Sequence, residues 1–501
     1  MIVHRWPRIK TLVISLKHSL LCGSFAILLG GPSQLSQAFQ IPSETAPHRD
    51  PWGVLPLTQA SHRWLGASSC SASACHGGPG AGVSSLQAPR GSEYPLWIES
   101  DPHARSWRTL NSDRSVEILQ RLHILVDGKI ANTAAYQNCL ACHNTSTELT
   151  SDGISPAIPE GVGCEACHGP SEAWSYSHYQ GPRSVQVAIE RLGMVNTGSE
   201  IVRAKACSLC HIGGPDRDMN HDIIAAGHPA LYFDYATYLK AYPKHWREEP
   251  QNQPIQALER WLIGQVTKAD SELELIESRI ASALPHSIWP EFSNYQCTSC
   301  HQPLTNFTED RNLKATGNLP ETPSNLGNAS VRMWNLEGLE SVDRILGSDS
   351  QGTKELLDSL QRAGSGRGAT ESELEGLFDK IEAKREELQS FFSSPNAGRT
   401  RSAAPAWTAQ QHRTWTREKW ESAAASGNWE QAALAYLSTL ASSPHQDAKV
   451  PMDRLRNRFV FPETTQSPVF PTPQSSLGDS SELQSDSWLA DLDLILQFLS
   501  P

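Results

Sequence analysis

Ten of the eleven cysteines fall into five pairs, and a histidine directly follows the second cysteine of each pair. Four pairs have two residues between the cysteines, and the first pair has four. The pairs are Cys70/Cys75, Cys139/Cys142, Cys164/Cys167, Cys207/Cys210 and Cys297/Cys300, and the histidines are His76, His143, His168, His211 and His301. Histidine makes up only 18 of the 501 residues, so composition does not explain five such placements. This repeated pattern constrains the fold more than any other feature.

The pattern predicts covalently attached haem c at all five motifs. In C-x-x-C-H the two thiols add to the vinyl groups of haem, and the following imidazole binds the iron. A zinc site has no use for a histidine after every second cysteine, and a thioredoxin-like motif normally occurs once. Disulfides are the default for paired cysteines outside the cell, but this spacing favours haem. At the wide first motif the alternative is a stray Cys70 beside a lone Cys75-His76 pair.

The occupant of the second axial position of each iron separates an electron carrier from a catalyst. Histidines outside the motifs outnumber the five positions, so we expect bis-histidine ligation to dominate. His103 follows Asp-Pro, where a helix can begin. On a helix, His221 and His228 would share one face, because they are seven residues apart. The candidate distal ligands are His103, His178, His221 and His228. The histidines assigned to the surface or to structural roles are His123, His245 and His286.

Several segments of the chain resemble the cytochrome c-554/c-552 group of multihaem cytochromes. They are "WIESDPHARSW", "NCLACH", "GVGCEACHGPSEAW", "CSLCHIGG", "NHDIIAAGHP" and "WPEFSNYQCTSCHQPL", between residue 61 and about residue 305. The resemblance implies closely stacked haems that pass electrons along a chain, with His103 and His178 as distal ligands. The wide first motif departs from the group's commonest form. A pentahaem nitrite reductase is a poorer match, because no C-x-x-C-K motif occurs here.

Two functions fit these observations. The first is a five-haem cytochrome that carries electrons to or from another redox protein. The alternative is a multihaem oxidoreductase that acts on a small nitrogen or sulfur compound at one five-coordinate haem. A scaffold for a larger redox complex is a third, less specific possibility. The net charge of −12 argues against nucleic acid as the main partner.

The amino-terminal sequence predicts export. A basic start and the apolar run Ser19–Leu29 precede Ser36 and Ala38, which suit the cleavage site of a signal peptide. We therefore expect the protein in the periplasm or at the outer face of the cytoplasmic membrane, where an uncleaved signal would hold it. The predicted organisation is a signal peptide (1–38), a linker (39–60), a pentahaem domain (61–305), a second linker (306–330) and an α-helical domain without haem (331–501).

The predicted fold class is mainly α, with loops and short helices around stacked haems, followed by an α-helical C-terminal domain. Apolar residues from Ile255 to Ile280 recur at helical spacing and predict one long helix. Thr370 and Glu373 form a capping box before an amphipathic helix that ends near Phe392. The segment "SGNWEQAALAYLSTL" is typical of a helix-turn-helix unit. The C-terminal half either shields the haems or receives a partner protein.

Overall fold

A computed structural model describes residues 62–78, 91–151, 155–246, 253–283, 289–296, 331–346, 348, 350–364, 369–392, 409–426 and 429–441. All of these residues belong to one compact unit, Ala46–Pro501. The predicted features that lie outside the described residues are the signal peptide, both linkers, His286, and the fifth motif with Cys297, Cys300 and His301.

The described chain is mainly helical, as predicted. Between residues 62 and 246 the helices are short and joined by long loops. They are α1 (Glu93–Ser100), α2 (Ser106–Thr109), α3 (Asp113–Arg121), α4 (Thr133–His143), α5 (Cys164–His168), α6 (Ser184–Arg191), α7 (Glu200–His211), α8 (His221–Ala225) and α9 (Tyr235–Ala241). Single 3₁₀ turns cover Ala67–Cys70 and Pro102–Arg105. Strands β1 (Leu125–Val126) and β2 (Lys129–Ile130) form a small antiparallel hairpin.

The predicted long helix is present as α10, which spans Gln253–Ala283. A 3₁₀ turn at Phe292–Asn294 follows. The later helices are α11 (Leu339–Leu346), α12 (Ser350–Gly364), α13 (Glu371–Phe392), α14 (Ala409–Ser426) and α15 (Trp429–Ala441). The predicted capping box starts α13: the Thr370 amide donates to Glu373 Oε2 at 2.8 Å, and the Glu373 amide donates to Thr370 Oγ1 at 3.3 Å. Helices α14 and α15 contact each other, as expected of the helix-turn-helix unit.

One large hydrophobic core joins the two predicted domains. It runs from Val195, ahead of α7, to Leu437 in α15. Helix α10 lies at its centre, contacting α7 and α9 as well as α11, α13, α14 and α15. Trp261 of α10, Trp334 and Trp420 are almost completely buried in it. Burying such aromatic side chains contributes strongly to stability, so the C-terminal helices support the segment that carries the fourth motif.

A buried ion-pair network reinforces this junction. Lys205 of α7 has a side chain only 1% exposed, and its Nζ lies 2.6 Å from Asp270 and 2.8 Å from Glu274 of α10. Arg385 of α13 lies 3.3 Å from Asp270. The network therefore connects α7, α10 and α13 around one buried carboxylate.

The first three motifs lie in a part of the chain with much smaller clusters of buried apolar residues. One cluster has Leu110, Leu119 and Leu140 among its members. Another consists of Ala67, Trp97 and Ala104. This pattern suits a region in which a bound cofactor supplies much of the core.

Among the described residues, no helix combines the length and hydropathy needed to cross a membrane.

Candidate haem-binding sites

Three of the motif histidines are the last residues of helices. Helix α4 ends at His143, α5 at His168 and α7 at His211. In each case the two cysteines are three residues apart in the same helix, and residues at this spacing are neighbours on the helix surface. The two sulfurs and the imidazole of each motif are therefore presented by one helical turn. None of the eight described cysteines forms a disulfide.

The wide first motif folds back through an additional turn. The amides of Cys75 and Gly77 both donate to the carbonyl oxygen of Ala72, at 2.8 and 3.0 Å. A Cβ atom at Gly77 would lie 1.8 Å from the carbonyl oxygen of Ser71, so only glycine fits at this position. The turn takes up the additional residues and brings His76 next to Cys75 in the usual order.

Each described motif histidine faces one histidine from outside the motifs. The pairs, with the distances between ring centroids, are His76/His178 (6.1 Å), His143/His228 (6.2 Å), His168/His245 (6.2 Å) and His211/His103 (6.1 Å). A metal ion binds an imidazole nitrogen at about 2.0–2.1 Å, as zinc does. Two imidazoles on opposite sides of one metal therefore have centroids about 6 Å apart. The separation in all four pairs fits one iron between the rings.

Hydrogen bonds hold six of these eight rings by the Nδ1 atom. The partners are Glu93 Oε2 for His76 (3.1 Å), Asp101 Oδ1 for His103 (2.8 Å), Ser106 O for His143 (3.0 Å), Thr197 Oγ1 for His168 (3.3 Å), Trp174 O for His178 (3.2 Å) and Pro229 O for His228 (2.8 Å). A partner at Nδ1 leaves Nε2 as the metal-binding atom and fixes the ring. The buried His412 differs, because its Nε2 lies 3.1 Å from the carbonyl oxygen of Ser438.

Burial keeps two of the paired rings neutral. It lowers the pKa of His168 to about 4 and that of His211 to about 3. His103 behaves differently: burial lowers its pKa, but the hydrogen bond and charge of Asp101 outweigh this effect and raise it. An imidazole must be neutral at the nitrogen that binds a metal, and burial of His168 and His211 provides that form at neutral pH.

The candidate sites adjoin one another through their cysteines. The side chains of Cys70 and Cys164 interact, and this lowers the pKa of Cys70 to about 7. The side chains of Cys142 and Cys210 interact in the same way, and this lowers the pKa of Cys210 to about 6. The first site therefore lies beside the third, and the second lies beside the fourth.

Glu165, between the two cysteines of the third motif, ties this motif to the first. Its side chain is fully buried and accepts hydrogen bonds from three backbone amides. The donors are Leu65 at 3.1 Å, Gly66 at 2.6 Å and Ser171 at 2.6 Å. The carboxylate thus fixes the chain just ahead of the Ala67–Cys70 turn.

Replacing Glu165 by alanine is expected to destabilise the first motif. It leaves the buried amides of Gly66 and Ser171 without this acceptor, and also the amide of the exposed Leu65. Hydrogen bonds to a charged group contribute about 1.5–3 kcal/mol each, so the loss from the two buried bonds should be at least about 3 kcal/mol. Hydrogen exchange of residues 65–70 in the cofactor-loaded protein measures the change. The control is Glu172→Ala, which removes an exposed partner of Arg63 and should leave exchange unchanged. Equal exchange in both variants would contradict this role of Glu165.

Three of the four distal candidates, His103, His178 and His228, lie in the pairs described above. His221 does not: its ring lies 5.6 Å from Phe292, and its amide donates to Glu291 Oε1 at 2.9 Å. His221 and His228 also do not share a helix face, because α8 ends at Ala225 and Gly227 has a φ of 121°. This glycine turns the chain away from the helix axis, which the sequence spacing alone did not reveal.

The sequence favours a surface or structural role for His245, but in the structure its ring lies opposite that of His168. The ring is flanked by Tyr242 at 6.4 Å and Trp246 at 5.2 Å. His178 has similar neighbours, since its ring lies 5.5 Å from Trp174. Aromatic residues three or four positions before a histidine, or directly after it, are therefore a sequence signal that His178 and His245 share. Among the described residues, no group of three or more histidine, cysteine, aspartate or glutamate side chains is arranged to hold a metal ion.

A comparison with protein families gives one match. Residues 70–169 match the family described as cytochrome c554 and c-prime. The match begins at Cys70, so it includes the wide first motif as well as the second and third motifs. It ends at residue 169, whereas the segments that resemble this group in the sequence continue to about residue 305. No curated protein and no solved structure matches the chain. The matched segment carries the thiols and histidines that haem c and its iron require.

Proposed function

We propose that this c-type cytochrome, which resembles the cytochrome c-554 family, is an exported five-haem electron carrier that exchanges electrons with another redox protein. Haem c, when bound, supplies one-electron chemistry between ferric and ferrous iron. The cysteines of each motif would hold the haem covalently, and the motif histidine would be the proximal ligand.

The observation that carries the proposal is the pairing of histidines. In each of the four described sites a second ring stands opposite the motif histidine, at 6.1–6.2 Å between centroids. The two rings of each pair would hold the iron between them and would leave no position for a small substrate, so electron transfer is the chemistry that the haem would supply. We assign His178, His228, His245 and His103 as the distal ligands of the first, second, third and fourth sites.

The contacts between sites support an electron path that differs from the sequence order. The first site adjoins the third through Cys70 and Cys164, and the second adjoins the fourth through Cys142 and Cys210. The thiols of Cys167 and Cys207 interact electrostatically, so the third site lies near the fourth. The path would run through the first, third, fourth and second sites in that order.

The distal ligand of the fifth site is proposed to be His221. Its ring and its amide contact Phe292 and Glu291, and these residues lie just ahead of Cys297 in the sequence. His221 thus contacts the segment that directly precedes the fifth motif in the sequence. This assignment would complete bis-histidine ligation at all five sites.

Export is supported by the basic and apolar sequence at the amino terminus. Haem attachment to C-x-x-C-H motifs suits a compartment outside the cytoplasm, and the proposed location is the periplasm or the outer face of the cytoplasmic membrane. An uncleaved signal would hold the protein at that membrane. The partners would be an electron donor and an electron acceptor that dock near exposed sites.

The test is a haem count by the alkaline pyridine assay combined with low-temperature electron paramagnetic resonance. The protein is purified from a host that matures c-type haem. Five haems, all low-spin in the ferric state, are expected. A high-spin component equal to one haem that shifts when nitrite or hydroxylamine is added would instead favour the multihaem oxidoreductase.

The shape of the spectrum gives a finer prediction. The ring planes of His76 and His178 are nearly parallel, at 11°, whereas the planes in the other three pairs differ by 61–85°. Parallel imidazoles give a rhombic low-spin signal, and near-perpendicular ones give a signal with a single large g value. We expect one rhombic component from the first site, and its absence would contradict the pairing of His76 with His178.

A further inference from the structure

Asp101 is a buried carboxylate at the edge of the fourth site. The residue is 2% exposed. Its Oδ1 accepts hydrogen bonds from Nδ1 of His103 at 2.8 Å and from the His103 amide at 3.0 Å. The side chain of Tyr242 also interacts with the Asp101 carboxylate. Asp101 therefore holds the distal ligand of the fourth site and is itself held by Tyr242.

Tyr242 lies between the distal ligands of two sites. Its ring centroid is 5.9 Å from that of His103 in the fourth site and 6.4 Å from that of His245 in the third. The charge of Asp101 also acts on His245. Asp101 and Tyr242 thus occupy the junction where the proposed path passes from one pair of sites to the other.

The Nδ1 partners of the described rings are not equivalent. His143, His178 and His228 have carbonyl oxygens as partners, and His168 has a hydroxyl. Among the described rings, the carboxylate partners are Glu93 for His76 and Asp101 for His103, with side chains 28% and 3% exposed.

A carboxylate that accepts the Nδ1 hydrogen makes the imidazole a stronger electron donor. A stronger donor stabilises ferric iron more than ferrous iron, and so lowers the reduction potential. Water screens a buried charge less than an exposed one. Among the described sites, the fourth should therefore have its reduction potential lowered most by a carboxylate partner, Asp101.

We propose that Asp101 is a positioning residue that sets the reduction potential of the fourth site below that of the third, and that Tyr242 moderates this effect. The inference rests on the proposed function, since it needs haem at both sites. The reduction potential would then differ between the two sites that meet at this junction, the fourth and the third. The direction of easier electron flow across the junction is then from the fourth site to the third.

The test is a redox titration of the haem-loaded protein, followed by optical and electron paramagnetic resonance spectra. Asp101→Asn keeps an oxygen that can accept from the His103 amide, but removes the charge. We expect the reduction potential of one haem component to become more positive by at least about 59 mV, which is a tenfold change in a one-electron reduction equilibrium. Tyr242→Phe removes a donor to the carboxylate and should move the same component in the opposite direction.

Glu93→Gln is the matched control, because Glu93 plays the same part toward His76. It should shift the rhombic component of the first site and leave the component affected by Asp101→Asn in place. If both variants shift the same component, the assignment of Asp101 to the fourth site is wrong.

Failure of the inference and failure of the proposed function can be told apart. Fewer than five low-spin haems in the unmodified protein would contradict the proposed function itself. Five low-spin haems with unchanged potentials in Asp101→Asn would overturn only the role of Asp101. If Asp101→Asn loses a haem, the redox titration of Tyr242→Phe decides the question. A more negative reduction potential for one haem component supports the inference, and unchanged reduction potentials overturn it.

Discussion

Replacing His228 by glycine is expected to convert one low-spin haem into a high-spin haem while the number of attached haems stays the same. The cysteines of the second motif and His143 remain, so they would still attach the haem and hold its iron. The imidazole that faces His143 is removed, so an iron held there would be open to water or to an added ligand. Electron paramagnetic resonance should show a high-spin component equal to one haem. Added imidazole should bind in the space left by the side chain and restore the low-spin signal.

His123→Gly is the control for this experiment. His123 is exposed and has a φ of 55°, a conformation that glycine adopts without strain. It belongs to none of the four histidine pairs, so its spectrum should match that of the unmodified protein. A His228→Gly variant that stays fully low-spin and does not respond to imidazole would rule out His228 as a ligand. His245→Gly should likewise produce a high-spin component equal to one haem, in this case at the third site, and added imidazole should restore its low-spin signal.

Replacing Lys205 by alanine is expected to lower the free energy of unfolding by about 3 kcal/mol. Removing one partner of a buried ion pair typically costs about 3–5 kcal/mol, because the remaining charge is left uncompensated. Asp270 is fully buried, but Arg385 and Gln389 remain near it, so the lower end of that range applies. Guanidinium unfolding of the haem-loaded protein, followed by far-ultraviolet circular dichroism, provides the measurement.

The matched control is Arg344→Ala. Arg344 and Glu418 form an ion pair at 3.1 Å, but their side chains are 60% and 48% exposed. Exposed pairs contribute about 0–1 kcal/mol, so this variant should unfold almost like the unmodified protein. A Lys205 variant no less stable than the Arg344 variant would show that the buried network contributes little to joining α7 with α10.

The local elements of this structure were predictable because short-range rules determine them. The capping box of Thr370 and Glu373 marks the start of α13, and the apolar spacing from Ile255 to Ile280 marks α10. The attachment motifs are equally local, since each is a few residues long and its chemistry needs no distant partner, and haem attachment at their cysteines stays a prediction. The position of three motif histidines in the structure is local in the same way, because they are the last residues of α4, α5 and α7.

The pairing of histidines was not predictable from local sequence. His103 follows the first motif but faces His211 of the fourth, and His178 follows the third motif but faces His76 of the first. Such contacts depend on tertiary packing, including the turn at Gly227 that separates His228 from α8. For the same reason the sequence predicted a helix face shared by His221 and His228, and it favoured a surface or structural role for His245.

The histidine pairs are interleaved along the chain, and this has a consequence for how the protein is made. His178, His228 and His245 all come after the third motif, while the rings they face belong to the first three motifs. A chain that ended at residue 177 would hold three complete attachment motifs and no complete pair of axial ligands. In a chain that is made from its amino terminus, haems attached at the first three motifs would therefore lack the second histidine of their pair until later residues are added. The pairs would then be completed one after another, as His178, His211, His228 and His245 follow in the sequence, so the positions of these later histidines would set the order in which the sites close.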